Sequence, residues 1–373
     1  MSVRKRSWVT SKGETKEAWI VDYVDQQGER HIRTFDRKGD ATDYEATVKV
    51  DVRQGVHTAS KLTVAEAAEA WIKRVEADGA ERTTIRQYRQ HINLHILPLI
   101  GSKTKLSELT EAGVEKLRDG LLKKSRPMAR KVLTSFKSLL KASKHQHVAA
   151  NVSIKRNKRD KRPLEVGRDI PTPNEIKRLI DAAKDSRRRA LLLVAALTGL
   201  RASELRGLRW WPDVDLKTGE LHVRQRADRY KEIGHPKSKA GVRTIPLAPE
   251  VLSALKEWKL ACPKGEAGLV FPTASGQVEH HKNMLSSLAP ILKAAGVVDR
   301  AGKPKYALHA FRHFFASWCI NRKADGGREL PAKVVQYLLG HSSIVMTLDL
   351  YGHLFPRGDD QRELAEAARA LLA

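Results

Sequence analysis

The hydrophobic rhythm of this chain changes at Thr63, and one fold layer does not accommodate both sides of the change. Before Thr63, RKRSWV, AWIVDYV and RHIRTF read as short strands, with alternating large side chains in AWIVDYV. After it, TVAEAAEAWIKRVEA, ERTTIRQYRQHINLHILPLIG, TEAGVEKLRDGLL and PMARKVLTSFKSLLKASKHQHV repeat their apolar residues every three or four positions. That is the period of helices packed on one face. A chain of 373 residues also exceeds one typical domain. The pattern predicts a multidomain protein: a small β-sheet plus helix over residues 1–58, an all-α block over 62–154, and a mainly α domain with a small β-sheet (α+β) over 170–373.

In the first part a turn is expected at Gly28. GDATDYEATVKVDVRQG reads as one helix, with Asp40 or Thr42 as cap and Gly55 ending it. KRNKRDKRPLEVGR, with Pro163 and Gly167 and no apolar period, reads as a basic linker over 155–169. Charge narrows the partners. The formal net charge of +26 is spread along the chain, which favours a polyanion, DNA or RNA. No run of 18 apolar residues occurs, and MSVRKRSWVTSKGE lacks the apolar core of a signal peptide, so no membrane partner and a cytoplasmic location are expected. Two cysteines, Cys262 and Cys319, without C-x-x-C spacing support neither a disulfide framework nor a zinc site.

The last half carries five short polar stretches. They are Arg201 in LTGLRASELRGL, Lys239 in PKSKAGVRTIPL, His309 and Arg312 in LHAFRH, His341 in LLGHSSI, and Tyr351 in MTLDLYGHL. Singly each has an ordinary structural reading, since an arginine after a turn is usually a solvated charge and a late tyrosine a half-buried core residue. The local pattern nevertheless gives each a defined place. RRRALLLVAALTGL is an all-round apolar helix ended by Gly199, which sets Arg201 at a helix-to-helix turn. ELHVRQRAD and VRTIPL read as strands, with Lys239 on a mobile hairpin tip beside Gly241. Phe311, Phe314, Phe315 and Trp318 supply the buried face of the next helix, and His309 and Arg312, three apart, share its polar side. Gly340 closes a short helix before His341, and a last helix carries Tyr351.

In order and wording this series, Arg, Lys, His-x-x-Arg, His, Tyr, closely resembles the tyrosine recombinase (phage integrase) family from about residue 170 to residue 356. The resemblance implies a site-specific recombinase that cuts and rejoins DNA through a 3′-phosphotyrosyl bond, with Tyr351 as nucleophile and neither cofactor nor metal. Arg201 and Arg312 would hold the charge of the phosphorane-like transition state. A phenol is only about a thousandth ionised at neutral pH. Its proton needs an acceptor, for which His309 is the better candidate, with His341 donating to the phosphate. Lys239 corresponds to the family's general acid at the departing 5′ oxygen. The first part resembles an arm-binding domain and the helical block a core-binding domain. Implied partners are double-stranded DNA at core and arm sites, a homotetramer on two duplexes, an excisionase and a host DNA-bending protein, in a nucleoid-associated setting.

Other chemistries fit less well. His309 and His313 share a helix face, but Ala310 stands where a metalloprotease needs glutamate. GVVDRAGKP has five residues between Gly296 and Gly302, and Pro304 where a phosphate loop needs Ser or Thr. Ser7 is a poor nucleophile for a serine recombinase. A resolving recombinase, a non-cleaving DNA-binding relative and a type IB topoisomerase remain as alternatives. The apolar-periodic QRELAEAARALLA either packs on its own domain or docks on a neighbouring subunit.

Overall fold

The computed structural model describes residues 2–9, 15–24, 30–53, 62–155, 162–356 and 361–373. Backbone proximity divides the chain into two compact units, Met1–Lys158 and Arg159–Ala373.

The first unit opens with three antiparallel strands in sequential order, β1 (Ser2–Val9), β2 (Thr15–Val24) and β3 (Arg30–Phe35). Helix α1 (Lys38–Arg53) follows, and Val21, Tyr23, Ala41 and Val48 form a small shared core. The expected caps Asp40 and Thr42 lie inside the first turns instead, where the Thr42 hydroxyl donates to the Lys38 carbonyl at 3.0 Å. An acidic residue is favoured by the helix dipole anywhere in that turn, so its presence does not mark the cap. The expected turn at Gly28 and the helix end at Gly55 lie outside the described residues.

The helical part holds α2 (Val64–Ala77), α3 (Arg82–His91), α4 (Leu97–Ile100), α5 (Glu111–Leu122) and α6 (Arg126–Ala142). Thr63 and Glu66 cap α2 reciprocally: the Thr63 hydroxyl accepts from the Glu66 amide at 3.2 Å, and the Glu66 carboxylate from the Thr63 amide at 2.8 Å. The single helix expected over residues 82–100 contains one widened π turn, Ile92–Ile96, just before Pro98. Proline has no N–H to continue the ladder, and a widened turn accommodates that loss. Trp71, Ile72, Ile96, Leu117, Phe136 and Leu139 build the core. On α6 the exposed side carries Lys131, Thr134, Ser138 and Lys141.

The second unit begins where a linker was expected. Residues 156–161 lie outside the described set, but 162–169 fold onto the unit. Glu165 O accepts from the Asp169 amide at 2.9 Å and the Ile170 amide at 3.1 Å, and Leu164 and Ile170 pack into the core. Two apolar anchors around a Gly167 turn outweigh the basic composition that suggested a tether.

Helices α7 (Pro173–Ala182), α8 (Ser186–Thr198) and α9 (Ala202–Gly207) come next. Five short strands follow: β4 (Val214–Asp215), β5 (Glu220–Val223), β6 (Arg226–Ala227), β7 (Ile233–Gly234) and β8 (Arg243–Pro246). Then come α10 (Pro249–Ala261), α11 (His281–Ala294), α12 (Leu308–Ile320), α13 (Ala332–Leu339), α14 (Ile344–Tyr351) and α15 (Gln361–Leu372). Helix α8 is apolar all round because it is enclosed: Ala190 to Ala196 are all buried, and α8 packs against both α10 and α12.

The hairpin expected around Lys239 is divided. Strands β4-β5-β8 form one antiparallel sheet with Leu221 opposite Ile245, and β6-β7 form a separate ribbon. Lys239 therefore stands not at a hairpin tip but at the start of a 3-10 turn, Lys239–Gly241, that feeds β8. Gly241 is required there, since a Cβ would lie 2.5 Å from the Pro236 Cβ. Helix α15 leaves Leu364, Leu371 and Leu372 exposed. Among the described residues, no helix is long and apolar enough to cross a membrane.

Candidate active site

Two left-handed glycines aim the site. Gly199 ends α8 at φ 63°, and a Cβ there would fall 2.3 Å from the Phe315 ring; Gly340 ends α13 at φ 62°, 2.9 Å from the Ala240 carbonyl and the Arg243 guanidinium. Larger residues fit neither position, so both helices stop where the next residues can turn inward. Arg201 follows the first stop and is the N-cap of α9; His341 follows the second.

Glu204, three residues into α9, is the hub. Its Oε2 accepts from the Arg201 amide at 2.8 Å and from Arg243 Nη2 at 2.9 Å, and its Oε1 from Arg201 Nη1 at 2.7 Å and Arg243 Nη1 at 3.2 Å. Four donors fill the two carboxylate oxygens. Burial opposes ionisation here, but Arg243 and then Arg201 outweigh it and hold the carboxyl down at about 2. Arg243 is fully buried and is tied further to the Leu338 carbonyl at 2.7 Å and the Gly241 carbonyl at 2.9 Å.

Arg312 comes from α12 and is 2% exposed. Its Nη1 donates to the Gly199 carbonyl at 2.6 Å and its Nη2 to the Leu339 carbonyl at 2.5 Å, so one guanidinium joins the ends of α8 and α13. Arg201 Nη2 makes the parallel link to the Gly340 carbonyl at 2.9 Å. Burial and the neighbouring Arg201 charge lower the Arg312 pKa to about 9, still charged at neutral pH. Two guanidinium groups, Arg201 and Arg243, thus share one carboxylate, and the charge of a third, Arg312, lies close enough to Arg201 to be felt there. An excess of buried positive charge is stabilised by a bound anion.

His341 is buried, its Nδ1 2.9 Å from the Thr347 hydroxyl, and desolvation with the Arg312 and Arg201 charges lowers its pKa to about 4. Tyr351 closes α14 and is 1% exposed. Burial pushes its phenol up to about 12, although Arg312 and Arg201 act in the opposite direction. The hydroxyl is hydrogen-bonded to His313 Nδ1 at 2.7 Å. Its partner is therefore not His309, the acceptor expected from the sequence. The His309 ring is exposed and meets His313 edge-on, with centroids 4.6 Å apart. Desolvation, then Arg312 and Arg201, lower its pKa. Lys239 is exposed, on the turn that precedes Arg243.

The fold brings Arg201, Arg312, His341 and Tyr351 into one electrostatic neighbourhood, with His309 at its solvent side. Sequence reading missed Glu204, Arg243 and His313. Signals existed for two of them. Glu204 completes the Arg-x-x-Glu opening of α9, and Arg243 alternates with Ile245 along β8 on the buried side.

The model of the phage integrase family matches residues 171–357. The chain belongs to the phage integrase family. Among relatives of this chain, a protein described as tyrosine recombinase XerC-like from Caldanaerobacter subterraneus subsp. tengcongensis (strain DSM 15242 / JCM 11007 / NBRC 100824 / MB4) is 33% identical over 207 residues, covering 49% of this chain and 50% of that protein. The chain thus spans about half the length of that relative. The ICEBs1 integrase of Bacillus subtilis (strain 168) is 25% identical over 301 residues, 76% of this chain and 75% of its own. In fold, the chain is similar to the Tn1549 transposon integrase solved with a circular intermediate DNA, with TM-score 0.61 and 21% identity, covering 83% of this chain and 99% of that one.

Proposed function

We propose that this family member is a site-specific recombinase that integrates, and excises, a mobile element by way of a 3′-phosphotyrosyl intermediate. The observation that carries the reading is the cluster in which Arg201 and Arg243 share the Glu204 carboxylate while Arg312 and Arg201 act on the buried Tyr351 hydroxyl. A scissile phosphate would supply the missing negative charge. Arg201 and Arg312 stabilise its non-bridging oxygens, and His341, held through Nδ1 by Thr347, donates from its other ring nitrogen. His309, at the solvent side, contacts the phosphate as it enters. Lys239, exposed on its turn, gives a proton to the departing 5′ oxygen. Each such group is worth about two to four orders of magnitude in rate. The bond energy is kept in the phosphotyrosine, so the reaction needs neither ATP nor metal.

Exchange of two duplexes cuts four strands, and one nucleophile per chain then requires a homotetramer on DNA. The core site falls to the helical block, whose α6 exposes Lys131 and Lys141, and arm sites to the small sheet. An excisionase and a host bending protein would set direction, with the protein acting on the nucleoid in the cytoplasm. Similarity to the ICEBs1 integrase over 76% of this chain, against 49% for the XerC-like relative, favours a mobile-element integrase over a resolving recombinase.

The test is a nicked duplex spanning the element–chromosome junction. Wild-type protein should yield a denaturant-stable adduct and Tyr351→Phe none, with equal DNA affinity. Binding without an adduct by wild type would move the protein to a non-cleaving relative, and adducts from both would mean a different nucleophile.

A further inference from the structure

We infer that His313 is a catalytic residue of the cleavage step, the group that takes the Tyr351 proton as the phenol attacks and returns it when the strand is rejoined. This inference rests on the recombinase reading above. Its ground is geometry: Tyr351 Oη, the reacting atom, lies 2.7 Å from His313 Nδ1, and the two rings meet edge-on with centroids 5.8 Å apart. His313 is one helical turn past His309 on α12, half-buried behind the exposed His309 ring. The side of the site that a phosphate reaches first is therefore His309, and the side that faces the phenol is His313.

The proton balance is closed within the chain and the DNA. In the resting pair a neutral imidazole carries its proton on Nε2 and accepts the phenol O–H at Nδ1. As the Oη–P bond forms and the P–O5′ bond breaks, the phenol proton passes to Nδ1, giving an imidazolium. The 5′ oxygen leaves with a proton from Lys239. In rejoining, the 5′ hydroxyl attacks, Lys239 recovers its proton, and the imidazolium protonates the departing phenolate.

The charged groups facing His313 fit this sequence. Desolvation, His309 and Arg312 lower its pKa to about 4, and Asp169 from the segment leading into α7 acts the other way. With the phenol raised to about 12 by burial, the resting pair is neutral on both sides. The nucleophile is thus unreactive until DNA is bound. An arriving phosphate anion favours the imidazolium, and the phenol becomes acidic only as its oxygen bonds to phosphorus.

The experiment is single-turnover adduct formation by the full-length protein on the nicked duplex, across a pH series, on oxygen and 5′-bridging phosphorothiolate substrates. His313→Ala should react about 10²–10⁴-fold more slowly near neutral pH, recover as rising pH ionises the phenol, and gain nothing from the thiolate leaving group. Lys239→Ala should be rescued by that leaving group, because a thiolate departs without a proton. His313→Gln keeps a hydrogen-bonding partner for the hydroxyl but cannot take its proton, so it should melt like wild type and remain slow. A His313→Ala rate within threefold of wild type or above it, a loss equal at every pH, or full rescue by His313→Gln would each overturn the inference. Absence of any adduct with wild type would instead overturn the recombinase reading.

Discussion

The buried arginine cluster and the turn that carries Lys239 adjoin in sequence yet are held in opposite ways. Both Arg243 and Arg312 are locked by backbone carbonyls, Arg243 also by the Glu204 carboxylate, at 3% and 2% exposure. Lys239, four residues before Arg243, is exposed on a 3-10 turn. The difference fits the chemistry proposed for each group. Charge stabilisation gains from groups that need no reorganisation when the transition state forms, whereas a proton donor must approach and leave an oxygen that moves.

The sharpest break of this comparison is Arg312→Ala. It leaves the Gly199 and Leu339 carbonyls without their donor, so adduct formation should fall by about a thousandfold or more and the melting temperature should drop with it. Lys239→Ala comes next. Adduct formation on an oxygen substrate should fall by about 10²–10⁴-fold while the melting curve stays in place; a drop matching that of Arg312→Ala would erase the distinction between the two regions.

A third effect is acid sensitivity confined to the cluster. The Glu204 carboxyl sits at about 2 in the fold against an ordinary 4.5. Its stabilisation is complete above the unfolded value and is lost as pH falls toward the folded one. Linkage gives roughly 3 kcal/mol over that window. Denaturant titrations from pH 6 to pH 2 should display the loss, and Glu204→Gln should remove that part of the pH dependence from an already less stable protein. The smallest effect concerns DNA binding away from the cluster. Affinity for duplex DNA should fall roughly tenfold or more between about 50 and 200 mM salt. Lys131→Ala should reduce the slope by about one contact and leave cleavage at saturating protein unchanged.

Legibility differed along the chain for physical reasons. Helices α2, α5, α6 and α8 were readable because amphipathic period, caps and enclosure act within a few residues. The Lys239 hairpin was not, because two strands of two residues each form a ribbon that no local alternation announces. Basic composition over 155–169 suggested a tether, and what decided otherwise was the burial of Ile170 in a core assembled from distant helices, with Leu164 packed against that core. In the site, Arg201, Lys239, His309, Arg312, His341 and Tyr351 were nominated as types in an order. Glu204 and Arg243 escaped, since the capping and alternation signals that place each on its own element do not announce an ion pair between α9 and β8.

By itself the sequence determined the helix stops at Gly199 and Gly340, the apolar face of α12, and the polar groups delivered near them, because each depends on backbone sterics and side-chain period over one or two turns. Tertiary structure alone decided that one carboxylate serves two guanidinium groups from α9 and β8 and that the Tyr351 hydroxyl meets His313. His309 and His313 lie on the same face of one helix, and which of them touches a tyrosine 38 residues away depends on how α14 packs against α12, a contact that no spacing along the chain encodes.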